Sequence, residues 1–227
     1  EPLWRLAARR WLRQRPLHSE PFHVPLASRT LRAHGFNAMP VLAWGERRSF
    51  GWLPDQGFML AASMPGDSLE DVFAAGTALV RRRVLAVVGR LMGRLHQHGF
   101  AVTLRLHDLL APARDFETAA WCAVEPAMID LDFKGQVLNA TGFDLQRAIH
   151  ASAHSAYLLL RTGQRLTHGE AAAWWRAYRR HLRSAGIALP RRLAERLRQQ
   201  VQIELAQHHC DARLVALFPQ TPQPRGS

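Results

Sequence analysis

Met128-Ile129-Asp130-Leu131-Asp132-Phe133 is the stretch of this chain best equipped for chemistry. Ile129, Leu131 and Phe133 alternate with Asp130 and Asp132, so a β-strand here sets both carboxylates on one face and the apolar side chains on the other. Two acids spaced this way at a strand end can hold a hard divalent cation, and such a cation usually rests on phosphate oxygens. Other polar groupings offer less. His96 and His98 close a helical pattern and read as complements to its C-terminal dipole rather than as metal ligands. His208-His209-Cys210-Asp211 matches no standard zinc spacing. His150, Ser152, His154 and Ser155 share one helix but lack the third group a hydrolytic triad needs.

The elements that must position Asp130 and Asp132 can be read from periodicity and punctuation. Residues 3–14 form a basic amphipathic pattern that packs on the domain or lies on an anionic membrane surface, packing being favoured. Pro16 to Pro25 reads as a linker, and Leu26 to His34 as a helix closed by Gly35. Pro40–Gly45, Arg48–Leu53 and Gly57–Ala62 read as three short strands, with Pro54-Asp55 in a turn. Ser68 or Asp67 caps a following helix. Val84, Val87, Val88, Leu91 and Leu95 recur at helical spacing, the clearest such pattern in the chain. Beyond Asp130 the pattern is helical throughout: Asp144–Leu160, Gly169–Ser184 and Pro190–His208. Trp174 and Trp175 read as core. The tail from Pro219 reads as frayed.

Composition narrows the partners. With 227 residues and 48% hydrophobic content, the chain can build one large domain or two small lobes. No apolar run approaches the roughly 18 residues that span a bilayer, and no secretory signal is visible, which favours a cytoplasmic protein, peripheral on the inner membrane if the basic helix binds lipid. The chain opens on Glu1, which reads as a fragment or a processed chain. A formal charge of +12 favours acidic partners: phosphorylated sugars, acidic glycolipids, an anionic membrane or nucleic acid. Arginine supplies nearly all of it; Lys134 is the sole lysine. Cys122 and Cys210 read as free thiols.

In order along the chain, four pieces resemble the lipopolysaccharide core heptose/Kdo kinase family, a bacterial branch of the protein-kinase-like fold. Leu31-Arg-Ala-His-Gly35-Phe-Asn-Ala-Met-Pro40-Val-Leu-Ala-Trp-Gly45-Glu46 resembles that family's "Leu-x-x-x-Gly-Ile-x-x-Pro-x-Pro-x-Ala-x-Gly-Glu". Gly57-Phe-Met-Leu60 through Pro65-Gly-Asp-Ser-Leu69 resembles its hinge strand and "Pro-Gly-x-Ser-Leu". Leu95-His-Gln-His-Gly-Phe100 resembles the end of the helix before the catalytic loop. Ile129-Asp130-Leu131-Asp132 resembles the metal-binding "Ile-Asp-Leu-Asp", and Asp144-Leu-Gln-Arg147 the helix after it. The match covers roughly residues 26–182. It implies an α+β, protein-kinase-like fold with a reduced N-terminal β lobe and a mainly helical C-terminal lobe. The corresponding divisions are residues 1–25 (helix and linker), 26–66 (reduced lobe and hinge), 67–218 (helical lobe) and 219–227 (tail).

The resemblance also implies ATP and Mg²⁺, but several of the parts that phosphoryl transfer needs are missing. No G-x-G-x-x-G precedes the first matching segment, and the sole lysine, Lys134, lies beyond the metal-binding strand. An arginine does not substitute simply for it. Aligned without gaps, the family's "His-x-Asp-Leu-x-x-x-Asn" loop falls on residues 101–108, so Thr103 takes the catalytic aspartate's position and Asp108 that of the metal-binding asparagine. A threonine hydroxyl has no useful proton affinity at neutral pH and cannot act as general base. Asp130, Asp108 and Asp132 remain as metal ligands. The expectation is a pseudokinase with weakened or lost ATP and Mg²⁺ binding and a binding or scaffolding role in lipopolysaccharide core assembly. Its rival is an active ATP-dependent sugar kinase with a rearranged loop and Asp108 as base; a glycine loop and lysine upstream of Glu1 would favour it. A basic nucleic-acid-binding module ranks last, for want of any recognised motif.

Overall fold

The computed structural model describes residues 20–50, 53–131, 137, 140 and 142–207. Helix α1 runs Glu20–Ala33 and holds Pro25 inside it. The linker expected up to Pro25 is thus helical from Glu20 onward. Proline removes one intrahelical donor, but Val24, Pro25 and Ala27 are all buried, and packing outweighs that local loss. Gly35, at φ +78°, closes the helix as expected: Phe36 N–H donates to the Leu31 carbonyl at 3.1 Å.

Strands β1 (Val41–Ser49) and β2 (Leu53–Ala61) form an antiparallel hairpin. Two long strands replace the three expected short ones. The chain reverses around Phe50, a residue that is 88% exposed at φ 55°, a conformation bulky side chains rarely adopt. Pro54 lies in β2 instead of a turn; a two-stranded sheet has only edges, where a missing donor is tolerated. Phe58 lies across Gly45 on the paired strand, and a Cβ there would meet its ring at 2.9 Å (Cζ).

A second, three-stranded sheet is ordered β3 (Asp67–Ser68), β4 (Leu109–Ala111), β5 (Ala127–Met128), all antiparallel. Ala38 bridges to Met128 in parallel; Met128 N–H donates to Asn37 O at 2.8 Å and Met39 N–H to Met128 O at 2.9 Å. The segment between α1 and the hairpin is thereby tied to the strand that leads to Asp130.

Helix α2 (Leu69–Ala75) is capped by Ser68, whose Oγ accepts from Glu70 N–H at 3.2 Å. Helix α3 (Ala78–Gln97) follows the expected apolar stripe, with Val84, Val87, Val88, Leu91 and Leu95 buried. Helix α4 (Leu145–Arg161) is capped by Asp144, which accepts from the N–H groups of Gln146 and Arg147 at 2.8 and 3.0 Å. Helix α5 (His168–Ser184) begins with a Thr167–Glu170 capping box, and α6 spans Leu193–Gln207. No described helix is long and apolar enough to cross a membrane.

Helices α3 and α5 pack closely because Gly89 and Gly93 lie one turn apart on the contact. A Cβ at Gly89 would strike the Trp174 carbonyl, and one at Gly93 would come within 3.2 Å of the Tyr178 carbonyl oxygen. The main core draws on α1, α2, α3, the loop after α3, β4, β5 and α5. A satellite core of Ala153, Tyr157, Leu160, Val201 and Leu205 joins α4 to α6. Trp174 and Trp175 are partly buried against the main core, as expected, and Trp174 stacks on Tyr178 at 5.1 Å.

Residues 3–14, Asp132, Phe133, Lys134, His208–Asp211 and the C-terminal tail lie outside the described residues.

Candidate functional site

The loop after α3 brings the acidic residues together. Gly99, at φ +78°, turns the chain, and Phe100 N–H donates to the Leu95 carbonyl at 2.9 Å. From there Val102, Leu104 and Leu106 are buried, while Thr103 and Arg105 between them are half-buried, so the last two occupy the opposite, more open side. Leu104 N–H donates to Ser155 Oγ at 2.9 Å, pinning the loop to α4. A 3₁₀ turn, Leu106–Asp108, delivers Asp108 to the start of β4.

Asp130 arrives from the other side. Regular strand structure ends at Met128, although Ile129 N–H still donates at 2.9 Å to the carbonyl of Asp108, the residue opposite it in the β4–β5 register; among the described residues the strand expected over Met128–Phe133 is thus only two residues long. Met128 and Leu131 are buried and Ile129 is only half-buried, so the expected apolar alternation is broken. That one backbone bond sets Asp130 beside Asp108.

Between the two carboxylates stands Arg105. Its Nε donates to Asp108 Oδ2 at 2.5 Å and its Nη2 to Asp130 Oδ2 at 2.8 Å. The other Asp108 oxygen faces His107 Nε2 at 3.0 Å, and His107 Nδ1 lies 3.4 Å from Glu70 Oε2 at the start of α2. Burial pushes the Asp108 carboxyl above the ordinary carboxylate range; the Arg105 hydrogen bond and charge and the His107 charge offset part of this, and Asp130 adds to it. Among the described residues, no hydrogen bond joins Thr103 to either carboxylate, and no three His, Cys, Asp or Glu side chains form a metal-holding group. Asp108 and Asp130 are therefore brought together through Arg105, Thr103 is set two residues before Arg105 on the same side, and Asp132 is outside the described residues. The sequence reading set His107 beside Asp108 but missed Arg105 and Glu70. The Arg105-x-x-Asp108 spacing was a signal for the first contact; the reach to Asp130 depends on tertiary structure alone.

The histidines at the end of α3 correct an expectation. His96 is fully buried, its Nδ1 2.9 Å from the Tyr178 hydroxyl, and burial lowers its pKa to about 3. Burial, then the nearby His34 and Arg94 charges, lower that of His98, which packs edge-on against Phe36. A neutral imidazole brings no positive charge to a helix end, so His96 is a packing residue. Nearby, Arg90 donates to the Cys122 and Val124 carbonyls, and Arg94 pairs with Glu125. These arginines lash α3 to the segment between β4 and β5; Cys122 is exposed and free.

A cavity of about 310 Å³ opens on the other side of the loop, among α3, α4, α5 and α6. Met92, Leu104, Leu106, Leu159, Trp174 and Val201 give it mainly apolar walls, and Leu104 and Leu106 flank Arg105 in sequence.

These features define a mixed α/β protein with two small sheets and a carboxylate pair at the mouth of a helical region. The same fold occurs in the solved structure of WaaP in complex with acyl carrier protein, with a TM-score of 0.52 at 18% identity over 86% of this chain and 75% of that one. No protein-family model and no curated protein matches the sequence.

Proposed function

We propose that this chain is a kinase-like protein of the lipopolysaccharide core kinase type that has lost phosphoryl transfer and serves a binding or scaffolding role in lipopolysaccharide core assembly. The fold it shares with WaaP is the kind that the sequence resemblance implies. The observation that carries the reading is the register of the loop. Asp108 abuts β4, and its carbonyl is bonded to the residue before Asp130, a placement that supports an ungapped alignment. That register leaves Thr103, not an acid, in the catalytic position, and a hydroxyl cannot take the substrate's proton. Residues 1–129 hold no lysine that could grip the nucleotide phosphates. Asp108 is poorly suited to replace the missing base, because Arg105 holds one of its oxygens and His107 faces the other. In this reading residues 26–66 are the reduced lobe and residues 67–218 the helical one.

The partner follows from charge and from the cavity. A chain of net charge +12 suits an acidic glycolipid, a phosphorylated sugar or an anionic membrane surface. The apolar cavity favours a second reading of the partner, a carrier protein bearing an acyl chain, since WaaP was solved with acyl carrier protein. Melting curves separate the two ligand classes. ATP with Mg²⁺ is expected to leave the melting temperature unchanged, whereas a long-chain acyl carrier protein raises it. A rise with Mg²⁺ and ATP alone contradicts the loss of nucleotide binding, and no rise with the acylated carrier removes that partner.

A further inference from the structure

We propose that Arg105 is a built-in counter-cation that takes the place its fold reserves for a divalent metal, so that the two carboxylates are bridged without one. The inference rests on the kinase-like reading only in treating Asp108 and Asp130 as the metal pair. A magnesium ion shared by two carboxylates sits about 2.0–2.1 Å from each oxygen. Here the space between Asp108 Oδ2 and Asp130 Oδ2 is filled by the guanidinium, which gives one nitrogen to each, at 2.5 and 2.8 Å. These are charge-assisted bonds made by two nitrogens along one edge of a rigid planar group. A metal could enter only after both were broken.

The rest of the loop holds the guanidinium in position. Leu104 and Leu106, on either side of Arg105, are buried, and Leu104 N–H is anchored on Ser155. The Arg105 carbonyl accepts from Asp108 N–H at 3.2 Å, so backbone and side chain of Arg105 both close on the same aspartate. Asp108 is only 7% exposed, and a carboxylate so buried needs a cation beside it. Arginine stays protonated at every pH at which the protein is folded, so this cation, unlike Mg²⁺, is lost neither to chelation nor to dilution. The donor set therefore does not fit the metal that the fold family uses. His107, facing Asp108 and Glu70, adds a second basic group beside Asp108.

The test is Mn²⁺ titration of the full chain, read by electron paramagnetic resonance and by melting temperature. Wild type is expected to bind no Mn²⁺ in an Asp130-dependent manner. Arg105→Gln exposes the two carboxylates to each other and is expected to bind Mn²⁺ tighter by on the order of tenfold or more, with a rise in melting temperature that Asp130→Asn in the same background removes. Arg105→Gln that binds no more tightly than wild type overturns the proposal. So does wild-type binding that Asp130→Asn abolishes, a comparison that holds even if Arg105→Gln fails to fold. ATP turnover by wild type would overturn the loss of kinase activity alone, whereas either of those Mn²⁺ results overturns only the role of Arg105.

Discussion

Replacing Arg81 with methionine is expected to lower the unfolding free energy by about 3–5 kcal/mol, the range found when one partner of a buried ion pair is removed. Arg81 Nε lies 2.5 Å from Glu170 Oε1, and the two side chains are 18% and 3% exposed. The same guanidinium donates to the Arg165 carbonyl at 2.6 Å and the Phe73 carbonyl at 3.4 Å, and lies 3.9 Å above the Phe73 ring. One side chain thus joins α2, α3 and the start of α5. Methionine keeps most of the apolar contact, so the loss isolates the charge left on Glu170. Burial raises the Glu170 pKa, but the bonds from Arg81 and Thr167 outweigh it and hold the carboxyl below the ordinary range. A carboxylate depressed in this way stabilises the fold above its unfolded pKa, and that stability is lost as pH falls through the folded value. In the variant burial acts on Glu170 with less to oppose it. The gap between wild type and variant is therefore expected to narrow from pH 7 to pH 4 in urea unfolding. A gap below about 1 kcal/mol, the usual worth of an exposed pair, would contradict a buried, coupled role.

Gly99→Ala is expected to cost about 3 kcal/mol, combining about 1–2 kcal/mol for an L-residue in the left-handed region with a backbone collision. Gly99 sits at φ +78°, and an added Cβ would come within 2.6 Å of the Gly142 nitrogen and carbonyl carbon. Both atoms belong to backbone and cannot rotate away. Gly163 provides the control: its φ is +83°, but nothing lies within 4 Å of an added Cβ. Gly163→Ala should show the conformational cost alone. Equal losses in the two variants, measured by chemical denaturation, would show that the approach of Gly142 carries no energy. Because Gly99 opens the loop that carries Arg105 and Asp108, Gly99→Ala is also expected to weaken the hold of that loop on Asp130.

Local rules served the sequence reading where they were strong. The stripe of α3, the Ser68 and Asp144 caps and the Gly35 stop each depend on residues within a turn of one another, and each is found. The misses have tertiary causes. Pro25 lies inside α1 because burial of that face outweighs one lost donor. The hairpin turns at Phe50, a residue whose type argues against the conformation it adopts. Asp130 follows a strand two residues long because Asp108, the partner opposite Ile129, already belongs to a 3₁₀ turn. His96, charged in a reading of the helix end alone, is buried against a tyrosine 82 residues away. The pairing of Asp108 with Asp130 was legible as a motif. The cation between them was not, because no periodicity encodes a contact across 25 residues.

The central question is whether this cleft transfers phosphate. The direct measurement is transfer of the γ-phosphoryl group from ATP to lipopolysaccharide core acceptors with Mg²⁺, for wild type beside Asp130→Ala. Wild type is expected to give no more transfer than Asp130→Ala or the protein-free blank. Magnesium-dependent transfer by wild type that Asp130→Ala abolishes would contradict the account.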